Sequence, residues 1–305
     1  MRLNSKQGVK PAPSTNSAQM AQSANYAYNT PSAARIPRAR PQTGKSRVWQ
    51  ELTSSQQVHP QGDRVSNDYR ASHCAPGYGA HYNKTHESGY YGALWEKIEK
   101  PLILDVLRPM GGAGRKCLDF ACGTGRIANV AARLFGEVVG ADISRPMLDC
   151  AQVPPNVRLR HIDMTREPLG ETFDVVTAFR FFLNAEDQLK SDALKAINEH
   201  LKDGGRLVCN VHMNATSPVG LVCRLLNRLS GRTIRHTLST TAFKELLTAS
   251  GFRVEEMIPY GYLPRPGNLL PGVCGALIEP FEKVSRTLRV PGQLAQHFLV
   301  VAKKR

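Results

Sequence analysis

Apolar and polar positions follow two rhythms in this chain from about residue 80 onward. Between Tyr91 and Leu107 the residues Leu94, Trp95, Ile98, Leu102, Ile103 and Val106 recur at helical spacing, and Pro101 is expected to bend or restart that helix. Short apolar runs then predict strands at Lys116–Phe120, Glu137–Ala141, Val157–Ile162, Phe173–Phe179, Arg206–Val211, Phe252–Tyr260 and His297–Lys303. Helical patterns lie between them. Gly125–Phe135 reads as a helix stopped by Gly136, and Ser144 caps a short helix with Pro146 in its first turn. Ala185–Leu201 is amphipathic and ends toward Gly204-Gly205, and Thr240–Ser250 is a further helix. Strands alternating with helices predict an α/β fold, with a parallel sheet covered on both faces.

Two segments break this rhythm. Thr216–His236 carries the apolar and basic run "VGLVCRLLNRLSGRTIR", and Gly261–Ala295 carries five prolines and "NLLPGVCGALIEPF". Long insertions near strand ends often cover a substrate, so lids are expected at about 216–236 and 261–295. A packing helix and a surface loop are the alternative.

Composition changes the picture at the start of the chain. Residues 1–70 are rich in Ser, Ala, Gln, Asn and Pro, and Pro11, Pro13, Pro31, Pro37 and Pro41 interrupt any helix. Such a segment buries too little apolar surface to offset its chain entropy, so a disordered tail is expected ahead of a folded domain at 71–305. The tail has no acidic residue before Glu51, and much of the chain's net charge of +15 lies there. That charge allows peripheral contact with an anionic surface through the tail. No apolar stretch approaches the roughly 18 residues of a membrane span, and no secretory core is present. A cytoplasmic location is expected, with organelle targeting or export through the tail as the alternative. The seven cysteines are odd in number and mostly sit in apolar runs, which suits reduced thiols. No His/Cys cluster has metal-ligand spacing, so no metal is expected.

The candidate chemistry begins at "LDFACGTGRIA", a strand, a turn of small residues and a helix start. Gly123 and Gly125 let a ligand approach the backbone, and the helix N-terminus offers N–H groups. Gly123 to Ala128 satisfies the dinucleotide pattern G-x-G-x-x-G/A. Asp119 speaks against that ligand, because a carboxylate there repels a pyrophosphate and suits a cationic group. No Gly-Lys-Ser/Thr follows, which excludes a Walker loop.

With its acid, "LDFACGTGRIA" resembles the first motif of class I S-adenosylmethionine-dependent methyltransferases, D/E-x-G-x-G-x-G, with Ala121 in place of the first glycine. "VVGADISRPML", "RHIDMT", "FDVVTAF" and "LKDGGRLVCNV" resemble the motifs of the next four strands, and the resemblance covers about residues 80 to 303. It implies a Rossmann-like, mostly parallel seven-stranded sheet. It also implies S-adenosylmethionine as cofactor, with Asp119, Ala121, Gly123 and Gly125 around it. Asp142, 17 residues beyond Gly125, would accept from the ribose hydroxyls, with Ile143 on the adenine. Asp163 would accept from the adenine amino group beside Met164, and Phe179 would face the methionine part.

Candidate catalytic residues lie just past the fourth and fifth strands. His212 is the candidate general base, because an imidazole accepts a proton near neutral pH. Arg180 would bind an acidic or hydroxyl group, or pair with a nearby acid. Tyr82, Asn184 and Asn214 are candidate substrate contacts. The expected activity is methyl transfer to a small-molecule acceptor, foremost a hydroxyl on a sugar, lipid-linked or aromatic compound. Alternatives are N-methylation of an amine or protein, an NAD-dependent oxidoreductase, and a non-catalytic cofactor-binding protein. Nucleic acid is disfavoured as a substrate, because no Asn-Pro-Pro-Tyr type motif follows the fourth strand.

Overall fold

The structure is a computed structural model that describes residues 69–233, 235–264 and 271–305. Residues 1–68 of the expected tail, and 234 and 265–270 of the expected lids, lie outside the described residues. The strands are β1 (Gly112–Phe120), β2 (Phe135–Asp142), β3 (Val157–His161), β4 (Phe173–Ala178), β5 (Leu201–His212), β6 (Phe252–Tyr260) and β7 (His297–Lys304). They form one seven-stranded sheet in the order β3-β2-β1-β4-β5-β7-β6. The first five run parallel, and β7 is antiparallel to both β5 and β6. His297 pairs with both His212 and Tyr260, so the carboxyl ends of β5 and β6 share one edge of the sheet.

Both faces of the sheet are buried. Leu118 and Phe120 enter one core with Val176 and Phe182, whereas Cys117 enters the other with Val138, Val175 and Val208. This alternation is the period of two that a strand imposes. The helices are α1 (Tyr69–Ser72), α2 (Tyr78–Glu87), α3 (Gly89–Leu94), α4 (Lys100–Leu107), α5 (Arg126–Ala131) and α6 (Arg145–Leu148), followed by α7 (Asp187–His200), α8 (Pro218–Ser230), α9 (Thr240–Ala249) and α10 (Pro271–Thr287). In α7 the spacing of Leu189, Ala193, Leu194 and Ile197 puts all four into the core, as its periodicity predicts.

Four boundaries differ from the sequence expectations. The helix expected to reach Phe135 ends at Ala131, and Phe135 already pairs with Gly112 in the sheet. Gly136 is a close-approach residue there and no helix stop: a Cβ on it would lie 1.8 Å from the Ala113 carbonyl oxygen. Gly204-Gly205 likewise does not end α7. The chain enters β5 directly at Leu201, and the two glycines lie in the irregularity between the pairs Phe173–Leu201 and Val175–Arg206. The helix expected at Tyr91–Leu107 is broken into α3, a π-helical turn at Trp95–Glu99, and α4. Pro101 lacks an N–H and its ring crowds the preceding turn, and the wider π turn just before it absorbs that mismatch. Finally, Tyr69 and Arg70, assigned to the tail, are helical in α1 and hold contacts across the sheet's carboxyl edge.

Candidate functional site

The carboxyl ends of the parallel strands gather most of the predicted site residues at one edge. Ala121, Gly123 and Gly125 all have positive φ, at 55°, 57° and 80°. This left-handed succession folds the turn back tightly enough to start α5 at Arg126. A Cβ on Gly123 would meet only Met147 Cε, the tip of a flexible side chain, at 2.9 Å, so the φ of 57° rather than lack of space is what favours glycine there. Ala121 is strained, since the left-handed region costs an L-residue roughly 1–2 kcal/mol. Ala121→Gly is therefore expected to stabilise the fold by about 0.5 kcal/mol after the greater chain entropy of glycine is counted. A rise of about 1–2 °C in Tm would register it, and a fall would contradict the strain.

Asp119 is buried at the end of β1 and ties three elements together. One carboxylate oxygen accepts from the Ala128 N–H of α5 at 3.0 Å, and the other accepts from the Thr177 hydroxyl of β4 at 2.8 Å. Burial pushes its carboxyl up to about 7, against the pull of those two hydrogen bonds. Asp142, at the end of β2, accepts from Gly123 N–H and Ser144 N–H, each at 2.7 Å. Burial raises its carboxyl too, and the two N–H donors oppose that rise. Each of its oxygens has a second lone pair, so the carboxylate braces the turn and keeps accepting capacity. Ile143 is half-buried beside it, and its carbonyl accepts from a His161 ring nitrogen if that nitrogen bears the proton.

Asp163 follows β3 and is engaged by the chain itself. It accepts from the Thr165 N–H and hydroxyl, and Arg70 Nε of α1 pairs with it at 3.1 Å. Burial pushes this carboxyl up, but Thr165 and Arg70 outweigh that and hold it below the usual range. Arg70 also donates to the Thr165 hydroxyl, while the Tyr69 ring packs edge-on against Phe181 and Ser144 donates to the His73 carbonyl. The segment Tyr69–Cys74 is thus a strap over the ends of β2, β3 and β4. Met164 is in the core, and Phe179 is half-buried against the opposite core.

Arg180 stands just after β4 in a second left-handed conformation, with φ 59°. Its backbone N–H donates to Asn210 Oδ1 at 2.7 Å. Its guanidinium pairs with buried Glu99 at 3.1 Å and donates to His86 Nε2 at 2.7 Å. Because that nitrogen accepts, His86 carries its proton on Nδ1 and donates to the Tyr82 carbonyl. Burial, with the charges of Arg180 and Arg126, pushes the His86 imidazole down to about 3. Burial alone would raise Glu99, but Arg180, His297 and Arg126 outweigh it and hold the carboxyl at about 2. Tyr260 donates to the other Glu99 oxygen at 2.9 Å. Arg126 stacks on Trp95 at 4.4 Å and faces Tyr82 at 5.8 Å. Arg180 thus takes the second of its two expected roles, pairing with an acid.

The remaining predicted residues are placed differently. His212 ends β5, opposite His297 of β7. Asn184 is exposed. Asn214 is fully buried and its carboxamide is spent on the chain: it donates to the Gln293 and Ala295 carbonyls and accepts from Thr216. It fixes the loop after β5 and is not presented to a substrate. Glu99, Tyr260 and Arg70 escaped the sequence reading. Glu99 had a signal, since it follows Trp95 by four residues on the apolar face of the helix.

An acid at the end of each of the first three strands, around a turn in the left-handed conformation, fits a ligand with a diol, an amine and positive charge. Residues 117–205 match the family described as methyltransferase domain. Those residues belong to the methyltransferase domain family. The match runs from β1 into β5 and includes Asp119, the glycine turn, Asp142 and Asp163. The chain is 39% identical over 103 residues to a cypemycin N-terminal methyltransferase from a Streptomyces species, covering 32% of this chain and 41% of that protein. It is 39% identical over 123 residues to a demethylmenaquinone methyltransferase of Staphylococcus aureus, covering 37% of this chain and 50% of that protein. The chain thus spans half or less of the length of these curated relatives. The fold is shared with the magnesium protoporphyrin IX methyltransferase of Synechocystis, solved with bound SAH. That likeness has a TM-score of 0.54 at 14% identity, covering 77% of this chain and 97% of the other.

Proposed function

We propose that this chain transfers a methyl group from S-adenosylmethionine to a hydroxyl of a small-molecule acceptor. The observation that carries the reading is Asp142, an acid at the end of β2 braced by Gly123 N–H of the turn. A diol placed there meets two carboxylate oxygens with lone pairs to spare. Gly123 and Gly125 admit the ligand backbone-close, and a cationic group beside the buried Asp119 would favour its charged form. When bound, S-adenosylmethionine supplies an electrophilic methyl group on a positively charged sulfur.

The chain's own residues then align and deprotonate. The acceptor oxygen must lie in line with the methyl group, so positioning contributes most of the rate. His212, the last residue of β5, is the residue this reading assigns to take the proton that the hydroxyl loses. Arg180 is a positioning residue in this scheme, since Glu99 and His86 engage its guanidinium. Tyr82 presents its ring on the same side, beside Arg126. Methylation of an amine is the second reading, and the likeness to the cypemycin N-terminal methyltransferase favours it.

Calorimetric titration with S-adenosylmethionine, NADH and NADPH tests the cofactor. Micromolar binding of the first alone is expected, and binding of a nicotinamide cofactor instead would overturn the reading. A screen of small acceptors by mass, with the methyl chemical shift of the product, then separates O- from N-methylation.

A further inference from the structure

We propose that α8 docks on an anionic lipid surface, and that this contact is a property of the folded domain. It stands independently of the methyl-transfer reading. Among the described residues, every large hydrophobic side chain that is exposed lies on α8, on α10 or in the short stretch after α10. In α8 only Gly220 is buried. Leu221, Val222, Leu225 and Leu229 are 51%, 55%, 56% and 74% exposed. At 3.6 residues per turn these four fall within an arc of about 100°, and Arg224 and Arg228 border it on one side. A helix with this face gains nothing from the domain's own core, although Ser217 caps it and Asn214 fixes its root.

The charge on this segment selects the occupant. No Asp or Glu occurs between Asp203 and Glu245, whereas Arg224, Arg228, Arg232 and Arg235 lie in or just after α8. An apolar stripe edged by arginines and free of acids is complementary to a bilayer interface with anionic headgroups. The second helix extends the same surface chemistry. In α10, Ile278 and Glu282 face inward, and Glu282 clips the end of β6 by accepting from Gly261 N–H and Tyr262 N–H. Its other face presents Leu277, Phe281 and Val284 to solvent. α8 follows β5 and α10 follows β6, and those two strands end at one edge of the sheet.

The test is co-sedimentation of the full chain with phosphatidylcholine vesicles, with and without phosphatidylglycerol. Binding to the mixed vesicles is expected. Leu225→Asp with Leu229→Asp should weaken it about tenfold or more, with circular dichroism unchanged because both side chains are exposed. Arg224→Gln with Arg228→Gln should weaken it and flatten its salt dependence. A Leu229→Trp chain adds an insertion readout against only two native tryptophans, and its emission should shift to the blue on mixed vesicles. Should the aspartate variant not fold, that shift decides. Undiminished binding by the aspartate variant would assign the contact elsewhere, the basic N-terminal segment included. Absence of vesicle binding, or a dimer that the aspartates dissociate without any affinity for vesicles, would equally overturn the proposal.

Discussion

Glu99→Gln is expected to destabilise the domain by about 3 kcal/mol, the largest loss foreseen for a single isosteric change here. Glu99 is 3% exposed and faces Arg180, whose guanidinium is itself largely buried. The substitution keeps the shape and an acceptor for the Tyr260 hydroxyl, and removes only the charge. Arg180 is then left as an uncompensated buried cation, and that residual charge dominates the cost. Urea unfolding at neutral pH measures the effect, and a loss below about 1 kcal/mol would show that water reaches the pair. Combining it with Arg180→Gln should cost less than the sum of the two single changes.

The acid limb follows from the same cluster. Glu99 has a folded-state carboxyl at about 2 against 4.5 ordinarily, so its stabilisation is present above 4.5 and is lost as pH falls toward 2. His86 is held neutral down to about 3 against 6.5 ordinarily, so the unfolded chain binds its proton first. That contribution too declines as pH falls from 6.5 toward 3. In Glu99→Gln the first component disappears, so the difference from the parent chain should shrink below pH 4.5.

Asp142→Ala is expected to weaken S-adenosylmethionine binding about 100-fold. Two hydrogen bonds to a charged group contribute about 1.5 kcal/mol or more each, which together is two decades in Kd. Asp142→Asn keeps one acceptor oxygen and should cost about tenfold. Because the carboxylate also holds the turn through Gly123 and Ser144, both variants need a thermal-unfolding control. Unaltered affinity in a folded Asp142→Ala chain would remove the acid from the site.

The turn from the end of β1 into α5 was legible because the residues there answer to local physics. An apolar run, small residues and a buried acid at a strand end imply one geometry with little help from elsewhere. The amphipathic face of α7 followed from periodicity in the same way. What stayed hidden depends on distant partners. Glu99 shares an apolar helical face, but its role exists only because Arg180, 81 residues later, meets it. Gly136 and Gly204-Gly205 resemble helix stops until the neighbouring strand is known. α10 contains Pro280 and five prolines crowd its segment, so local propensity argued against the helix that packing on α3 supports. α1 is four residues long and has no periodicity to read.

That short strap has a consequence for concentration. A ligand that donates to Asp163 Oδ2 from the place Arg70 holds must displace Arg70, so it would bind only the share of the chain in which that ion pair is open. Only the open fraction is competent, and apparent affinity is the intrinsic affinity scaled by that fraction. Each ~1.4 kcal/mol by which the strap is favoured raises the ligand concentration needed for half-saturation tenfold. The strap at Tyr69–Cys74 would thus set the threshold at which such a ligand binds, without altering the contacts that hold the ligand once it is there.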